Sequence, residues 1–443
     1  MATTDNNVLH ITRFSNLTKW SAHDAVFENM ENHFPLVPLS KVLKRVKEPV
    51  NIDDDTLYKR ITVRLYGQGV LQRDELLGKE IGTKRQFLAH SGQLIISRID
   101  ARNGAFGIVP PELEGAIVTN DFWLFDVMNA LPEYLLLVLS SELFQKYWQT
   151  QSSGTTNRQR VSENDFLNSM IAMPSIKQQQ ELINSLSHHK SHASDLESRA
   201  EKVREEADKY LRSALSVSSI HEKNVDYLMQ LFAFHDMSRW DVWVNRGECI
   251  STTYRSVPFG SLTIGKPLYG ANEKAINVRS DVRYIRITDI NEDGSLGNDY
   301  VSASRVDTKY LLHENDLLIA RSGNTVGKTF LYTPTVGKAI FAGYLVRYKI
   351  NCERAIPKYL LYYTKSSVFK QWIQSNKRVF GQPNINGQEY LSAPIILPPI
   401  EVQSIIVDRM QSFYDLANSL LSQAQEEVTF GKKEFEEVVF GET

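Results

Sequence analysis

The sequence predicts an α+β protein: two similar mixed α/β globular domains, separated and linked by two long antiparallel coiled-coil helices in a pseudo-two-fold arrangement. Three observations predict it. The chain repeats itself with a period of roughly 220 residues, each copy ends in a heptad seam, and the composition is that of an ordinary globular protein.

The repeat comes first in the argument. TKWS at Thr18 to Ser21 matches SRWD at Ser238 to Asp241, and VPLSKVL at Val37 to Leu43 matches VPFGSLT at Val257 to Thr263; both pairs lie 220 residues apart. HSGQLIISR (His90 to Arg98) pairs with HENDLLIAR (His313 to Arg321) at an offset of 223. LPEYLLLVLSS (Leu131 to Ser141) pairs with IPKYLLYYTKS (Ile356 to Ser366) at 225, and MPSIKQQQELI (Met173 to Ile183) with LPPIEVQSIIV (Leu397 to Val407) at 224. Five matches in one order with so small a drift define two diverged copies of one module.

Within a copy, short runs rich in Ile, Val, Tyr and Phe alternate with Gly- and Asn-bearing turns, as in Arg60 to Tyr66 and Leu94 to Ile99, and predict strands. A helix follows a proline in each copy: Glu133 to Trp148 after Pro132, and Lys358 to Gln374 after Pro357. Proline suits a first helical turn because its missing N–H would have had no partner there.

The last helix of the first copy has a seam of Leu182, Leu186, His189, Ala193, Leu196, Ala200, Val203, Ala207, Tyr210 and Ala214, spaced alternately four and three apart. Lys177 to Arg212 carries seven basic and seven acidic residues between seam positions, as an exposed helix face should. The second copy repeats the seam at Ile406, Met410, Phe413, Ala417, Leu420 and Ala424, then weakens it at Gln425 to Gly431. Two such helices in one chain each need an apolar partner, and they most economically pack on each other. At ~1.5 Å per residue the first is on the order of 50 Å long. The predicted boundaries are an N-terminal tail at 1–17, a first globular domain at 18–175 and a first spacer helix at 176–217. A second domain follows at 218–398, then a second spacer helix with an acidic C-terminal tail at 399–443.

Composition excludes several classes. With 42% apolar, 10% aromatic and 23% charged residues, the chain is neither disordered nor a collagen-like fibre nor a simple rod. Two cysteines, Cys249 and Cys352, exclude a disulfide framework and point to a reducing compartment. MATTDNNVLHITRF lacks the apolar stretch of a secretory leader. The longest apolar runs, such as Leu135 to Leu139, are too short to cross a bilayer. A soluble, cytoplasmic chain without membrane contact is expected.

Complete active sites are missing. SGNTVGKT (Ser322 to Thr329) places three residues between Gly323 and Gly327 where a phosphate-binding loop needs four, so a Gly-rich turn between strands is the favoured reading. His188, His189 and His192 have zinc-compatible spacing, but His189 lies on the seam, and coiled-coil surface outweighs a metal site. There is no Gly-x-Ser-x-Gly elbow and neither cysteine sits in a nucleophile signature. Glu112 and Ile400 follow the Pro-Pro pairs, so the Pro-Pro-aromatic loop of amino-group DNA methyltransferases is absent. No catalytic residue, metal or cofactor is expected in this chain.

What recurs is polar, basic loops after predicted strands. The first copy offers Arg98, Arg102 and Asn103, then Thr155, Thr156, Asn157, Arg158, Gln159 and Arg160. The second offers Arg321, Ser322, Asn324 and Lys328, then Lys377, Arg378, Gln382, Asn384 and Asn386. Arg, Asn and Gln can pair bidentately with guanine and adenine edges, while Lys, Ser and Thr suit phosphates. One such loop reads equally well as solvated surface; four at matching places favour ligand recognition. Arg98 and Arg321 align in the repeat, and a turn anchor is at least as good a reading for them as a base contact. Trp20 and Trp240 also align, and core packing is favoured over base stacking. The formal charge of −2 hides an asymmetry: residues 401–443 carry nine acidic and three basic residues, leaving the remainder at +4. Such a body grips phosphates modestly and needs a partner to complete its hold.

The two-copy layout and the strings LIISRIDARNGAFGIVP, LLIARSGNTVGKTFLYTP, SSGTTNRQRV, MPSIKQQQELI and LPPIEVQSIIV resemble the specificity subunit of type I restriction–modification systems. The resemblance runs from about Trp20 to Ala424 and lies in the order and duplication of the motifs. It implies that each globule is a target-recognition domain for one half of a split double-stranded DNA site. It further implies that the paired helices act as spacer and docking surface for two methyltransferase subunits, with motor–nuclease subunits joining that core. The implied subunit has no catalytic activity; S-adenosylmethionine, ATP and Mg belong to its partners, and the setting is the cytoplasm of a bacterium or archaeon. Because the copies have diverged, an asymmetric site is expected. An orphan sequence-specific DNA-binding or regulatory protein of the same architecture would show the same motifs.

Overall fold

The computed structural model describes residues 34–65, 67, 69–99, 104–145, 162–217, 219–221, 249–276, 279–377 and 383–441. The chain divides into two compact units, Met1–Asp195 with Gln423–Thr443, and Leu196–Ser422. Each unit holds one globular module and one end of each long helix.

The first module is built on a four-stranded sheet in the order Leu43–Val46, Phe122–Val127, Leu94–Ser97, Phe106–Ile108. The second repeats it as Thr263–Tyr269, Leu345–Ile350, Asp316–Ala320, Thr329–Leu331. In both, a two-stranded ribbon joins the start of the module to its end: Leu36–Pro38 with Met170–Ala172, and Ser256–Pro258 with Pro394–Ile396. Every residue of Leu94–Ser97 and of Asp316–Ala320 is buried, which is why LIIS and LLIA read as continuous apolar runs rather than alternating ones. The repeat in the sequence is thus a repeat of this inner frame. The outer sheets differ. The first module adds five strands in the order Pro49–Asn51, Arg85–Ala89, Ala116–Val118, Leu57–Val63, Val70–Leu77. Among the described residues the second has two-stranded pairs instead: Ser219–His221 with Cys249–Ser251, Ala275–Ile276 with Ser302–Ala303, and Arg283–Ile285 with Ala339–Phe341.

The helix expected after each proline is broken in two. Pro132–Ser140 and Pro357–Tyr363 stop, and the chain turns helical again from Glu142 and from Ser367. The hinge is a buried serine that no periodicity announces. Ser141 Oγ donates to Val138 O (2.7 Å) and accepts from Phe144 N (3.3 Å); Ser366 Oγ donates to Tyr363 O (2.7 Å) and accepts from Phe369 N (3.3 Å). A serine so placed ends one helix and caps the next. A long-helix carboxylate then meets each new N-terminus: Glu436 accepts from Glu142 N (2.9 Å), and Asp208 from Ser367 N (2.8 Å). Negative charge there complements the unpaired N–H groups and the helix dipole.

The long helices span Ile176–Ala214 and Ile400–Phe440. In the first unit Ser185 donates to Glu434 (2.9 Å) and His189 meets Glu427 (2.8 Å) and Glu434 (3.2 Å), so the two helices run antiparallel. In the second, Tyr210 packs on Phe413 with ring centroids 5.9 Å apart. Seam residues Leu186, Ala193, Leu196, Ala200 and Ala207 are buried, as are Ile406, Met410, Ala417, Leu420 and Ala424. The stretch where the seam weakens stays helical. There Gly431 makes room for His189, since a Cβ at that position would lie 2.8 Å from the His189 Cβ. Past it the apolar pattern resumes, and Phe435, Val439 and Phe440 enter the core of the first module beside Tyr134 and Phe144. The second module is closed in the same way by Ala207 and Leu211 of the first long helix and Leu215 just past its end, with Ile406 and Met410 of the second.

Leu196 is 4% exposed, so Leu196→Asp places a charge against apolar neighbours and is expected to cost about 3 kcal/mol or more. Thermal unfolding checks it, and an unchanged melting temperature would refute the seam. The His189 cluster adds a pH dependence. Hydrogen bonding to Glu427 raises the His189 pKa above its ordinary 6.5; that stabilisation is complete below 6.5 and disappears as pH rises through the raised value. Hydrogen bonding to His189 lowers the Glu427 pKa below 4.5; that contribution is present above 4.5 and lost as pH falls through the lowered value. The cluster therefore supports the fold best between about 4.5 and 6.5, and His189→Ala is expected to flatten the alkaline limb of a melting-temperature profile.

Candidate nucleic-acid interface

Arg98 and Arg321 each leave the end of a fully buried central strand, so the frame fixes where their side chains begin. Their bonds to the backbone are close copies. Arg98 N donates to Asp121 O (2.8 Å) and Arg321 N to Tyr344 O (3.0 Å). Each guanidinium reaches a loop carbonyl, Arg98 Nη1 to Asn120 O (3.4 Å) and Arg321 Nε to Gly343 O (3.2 Å). Each also stacks on an aromatic ring, Trp123 at 5.6 Å and Tyr269 at 5.1 Å from the centroid. Stacking and carbonyl contacts hold the guanidinium planes in place and leave N–H donors for a ligand, so anchor and contact are compatible roles.

Around Arg321 the other candidates of the second module converge. The 383–386 segment pairs with the residues that follow the central strand: Gly323 N donates to Pro383 O (2.9 Å) and Ile385 N to Arg321 O (3.0 Å). Ser322 and Asn384 form a bridge across this contact, and Ser322 Oγ and Asn384 Oδ1 are buried without a hydrogen-bond partner. The Gly-rich stretch is a short turn at Gly323–Thr325 leading into the strand Thr329–Leu331, antiparallel to the central strand. Asn324 is exposed on it. Lys328 is drawn aside by Glu292 (2.9 Å). Asn386 is a helix cap: its Oδ1 accepts from Gln388 N and Glu389 N, both at 2.9 Å, while Glu389 accepts from Asn386 N (2.8 Å). Lys377 sits half-buried at the end of Ser367–Asn376. The remaining candidates, Arg102, Asn103, Thr155, Thr156, Asn157, Arg158, Gln159, Arg160, Arg378 and Gln382, lie outside the described residues, as do Trp20 and Trp240.

Three side chains join these clusters without a loop motif to flag them. Arg45 lies over Phe125 (5.4 Å) and contacts Glu163 (3.4 Å) in the first module. Burial lowers its pKa, Glu163 opposes that, and nearby Arg98 adds to the lowering. Tyr269 and Tyr344, 40% and 53% exposed, flank Arg321 in the second. All three lie on or beside inner-frame strands, and only strand pairing brings them to the loop ends. Arg45 is turned inward, donating to Val46 O (2.6 Å), Leu124 O (2.9 Å) and Phe122 O (3.3 Å), so the first module presents Arg98 on a buried aromatic ring and the second presents Arg321 between exposed tyrosines. Among the described residues, no group of His, Cys, Asp and Glu side chains could hold a metal ion, and no helix is long and apolar enough to cross a membrane.

Asn386→Ala is expected to lower stability by about 1 kcal/mol through loss of the cap, with Asn386→Asp near neutral. Chemical denaturation of the two variants checks it.

Residues 267–429, most of the second module and of its long helix, match the family model for the type I restriction modification DNA specificity domain. Over 121 residues the chain is 26% identical to the type I restriction enzyme EcoEI specificity subunit of Escherichia coli, covering 26% of this chain and 20% of that one. Over 164 residues it is 24% identical to the EcoBI specificity subunit of the same organism, covering 36% and 34%. These matches thus span 20% and 34% of the curated relatives' lengths. A solved chain from work on complex assembly and conformational transition of the type I R-M system aligns over 93% of this chain and 98% of its own. Its TM-score is 0.54 at 16% identity, a likeness of fold. The first module, outside the family match, has the same inner sheet in the same strand order as the second, so both copies share one ancestry. Residues 267–429 thus carry a type I restriction modification DNA specificity domain, and the chain is similar in part of its sequence to type I restriction enzyme specificity subunits.

Proposed function

We propose that this chain is the DNA-reading subunit of a type I restriction–modification complex, in which each module recognises one half of a bipartite, asymmetric site in double-stranded DNA. The observation that supports it most is the repeated inner frame, which places an aromatic-stacked arginine at the same strand end in both modules and surrounds it with different side chains. Guanidinium groups held flat can pair bidentately with guanine edges, and the divergence around them suits two different half-sites. The reading assigns the chain no catalytic step. Methyl transfer to adenine, with S-adenosylmethionine, would lie in two methyltransferase subunits docked on the long helices. ATP and Mg would serve motor–nuclease subunits that join the same core, in the cytoplasm of a bacterium or archaeon. The mildly basic body and the −6 charge of residues 401–443 fit a division between a DNA-facing and a protein-facing part.

Mapping methylated adenines in host DNA with and without this gene tests the reading: a split motif that disappears with the gene is expected, and an unchanged methylation map would refute it. Within that motif, Arg321→Ala is expected to weaken discrimination by about 1–3 kcal/mol in one half only, and Arg98→Ala in the other. Substituting Arg158 and Arg160 should likewise affect the first module's half alone. Binding to duplexes altered in one half at a time separates the effects, and equal loss in both halves would make these residues structural.

A further inference from the structure

Two glutamines occupy the same place in the two copies, the fourth residue of each long helix, and both are fully buried: Gln179 is 0% exposed and Gln403 1%. Each side chain makes the same two bonds. Gln179 Oε1 accepts from Leu131 N (2.8 Å) while its Nε2 donates to Pro174 O (2.9 Å). Gln403 Oε1 accepts from Ile356 N (2.9 Å) while its Nε2 donates to Pro398 O (2.9 Å). An N–H on one side and a carbonyl on the other leave the amide a single orientation.

Leu131 and Ile356 precede the prolines that open the short module helices, and no side chain of their own caps those helices. Pro174 and Pro398 belong to the linker between the module's last strand and the long helix. One amide therefore ties three parts together: the long helix, the linker before it and the module helix beside it. An apolar side chain of equal volume would fill the space but take away the partner of the Leu131 or Ile356 N–H and of the proline carbonyl. What an amide adds is direction, because its two bonds are satisfied in one pose only.

We propose that Gln179 and Gln403 are positioning residues that fix the angle of each module on its long helix and thereby the half-site spacing the protein accepts. This rests on the DNA-reading proposed above. A long helix magnifies an angular error at its base, and a shift of ~3.4 Å is one base-pair step. Loss of one clasp frees one module to tilt while its own reading loops stay intact. The effect is thus on spacing and not on the bases read.

The test uses the native complex, the full chain purified with its methyltransferase partner, and duplexes carrying the mapped site with its spacer shortened or lengthened by one base pair. The unaltered protein is expected to favour one spacer by about tenfold or more. Gln403→Met, which keeps the volume and removes both bonds, should bring the neighbouring spacers to within about threefold of the best one, with the base preference of each half unchanged. Gln179→Met should do the same from the first module, and Gln403→Glu, which keeps the acceptor for Ile356 N, serves if the methionine variant does not fold. Tyr348→Phe is the control for destabilisation, because it removes a buried bond to Gly387 O (2.9 Å) wholly inside the second module. Lower melting temperatures with an unchanged spacer preference in the glutamine variants, or the same relaxation in Tyr348→Phe, would overturn the positioning role. An unaltered protein with no preference for a split site would overturn the DNA-reading itself, and the clasp's role with it.

Discussion

Burial of one apolar stripe along each long helix is the constraint on which the rest of the structure depends. Helices of 39 and 41 residues with so many charged positions have no reason to stay helical in water unless that stripe is covered. In each unit the other helix covers part of it and the module covers the end. The second module takes in Ala207 and Leu211 of the first helix, and the first takes in Phe435, Val439 and Phe440 of the second. The modules are therefore not beads on a rod. Each core is completed by a helix end from the other copy of the repeat, and neither copy holds a whole core alone.

A uniformly apolar seam would leave the register of the two helices weakly fixed. The polar interruption supplies what it lacks. His189 is held by Glu427 and Glu434, and the Glu427 carboxylate also meets His192 (3.3 Å). The space for the imidazole exists only opposite Gly431, the one residue there without a Cβ. Sliding either helix by a turn would press the ring against a larger side chain and strand two carboxylates. This is the register role that a polar residue at a seam position is known to serve.

The repeat, the seam and the inner frame were legible because they rest on local patterns: matched strings, alternate spacings of four and three, and unbroken apolar runs for strands buried on both faces. What stayed hidden rests on contacts distant in sequence. Ser141 and Ser366 look like ordinary helical residues in LPEYLLLVLSS and IPKYLLYYTKS, and the helix starts just after them are met by Glu436 and Asp208 of the long helices, which accept from Glu142 N and Ser367 N. The five-stranded outer sheet of the first module pairs residues as far apart as Arg60 and Ile117, and its strands have no counterpart string in the second copy. At the candidate interface, Arg98 and Arg321 stood out because they align. Tyr269 and Tyr344 did not, because only strand pairing carries them to Arg321. Asn386 was read as a contact from its residue type, where the structure gives its oxygen a capping role. Gln179 and Gln403 lay within matched strings all along, but nothing in a string says that a glutamine is buried.

Conservation of the frame and divergence of its surroundings separate two demands on one module. On the proposed DNA-reading, the frame has to present a strand end to the ligand and hold the module on its helix, and these needs are the same in both copies. So the central strands, the proline-opened helices, the serine breaks and the buried glutamines are duplicated almost bond for bond. On the same reading, the surroundings have to tell one half-site from the other. Arg98 stacks on Trp123, which is 1% exposed, beside a second arginine; Arg321 stacks on Tyr269, 40% exposed, beside Tyr344. One cluster sets Arg98 on a hidden aromatic floor with Arg45 bonded inward beside it, and the other sets a single cation between two accessible rings. A duplicated gene constrained only by folding would have drifted in frame and surroundings alike. Here the change concentrates where the frame ends, which is the pattern expected when two copies of one scaffold are selected to recognise different things.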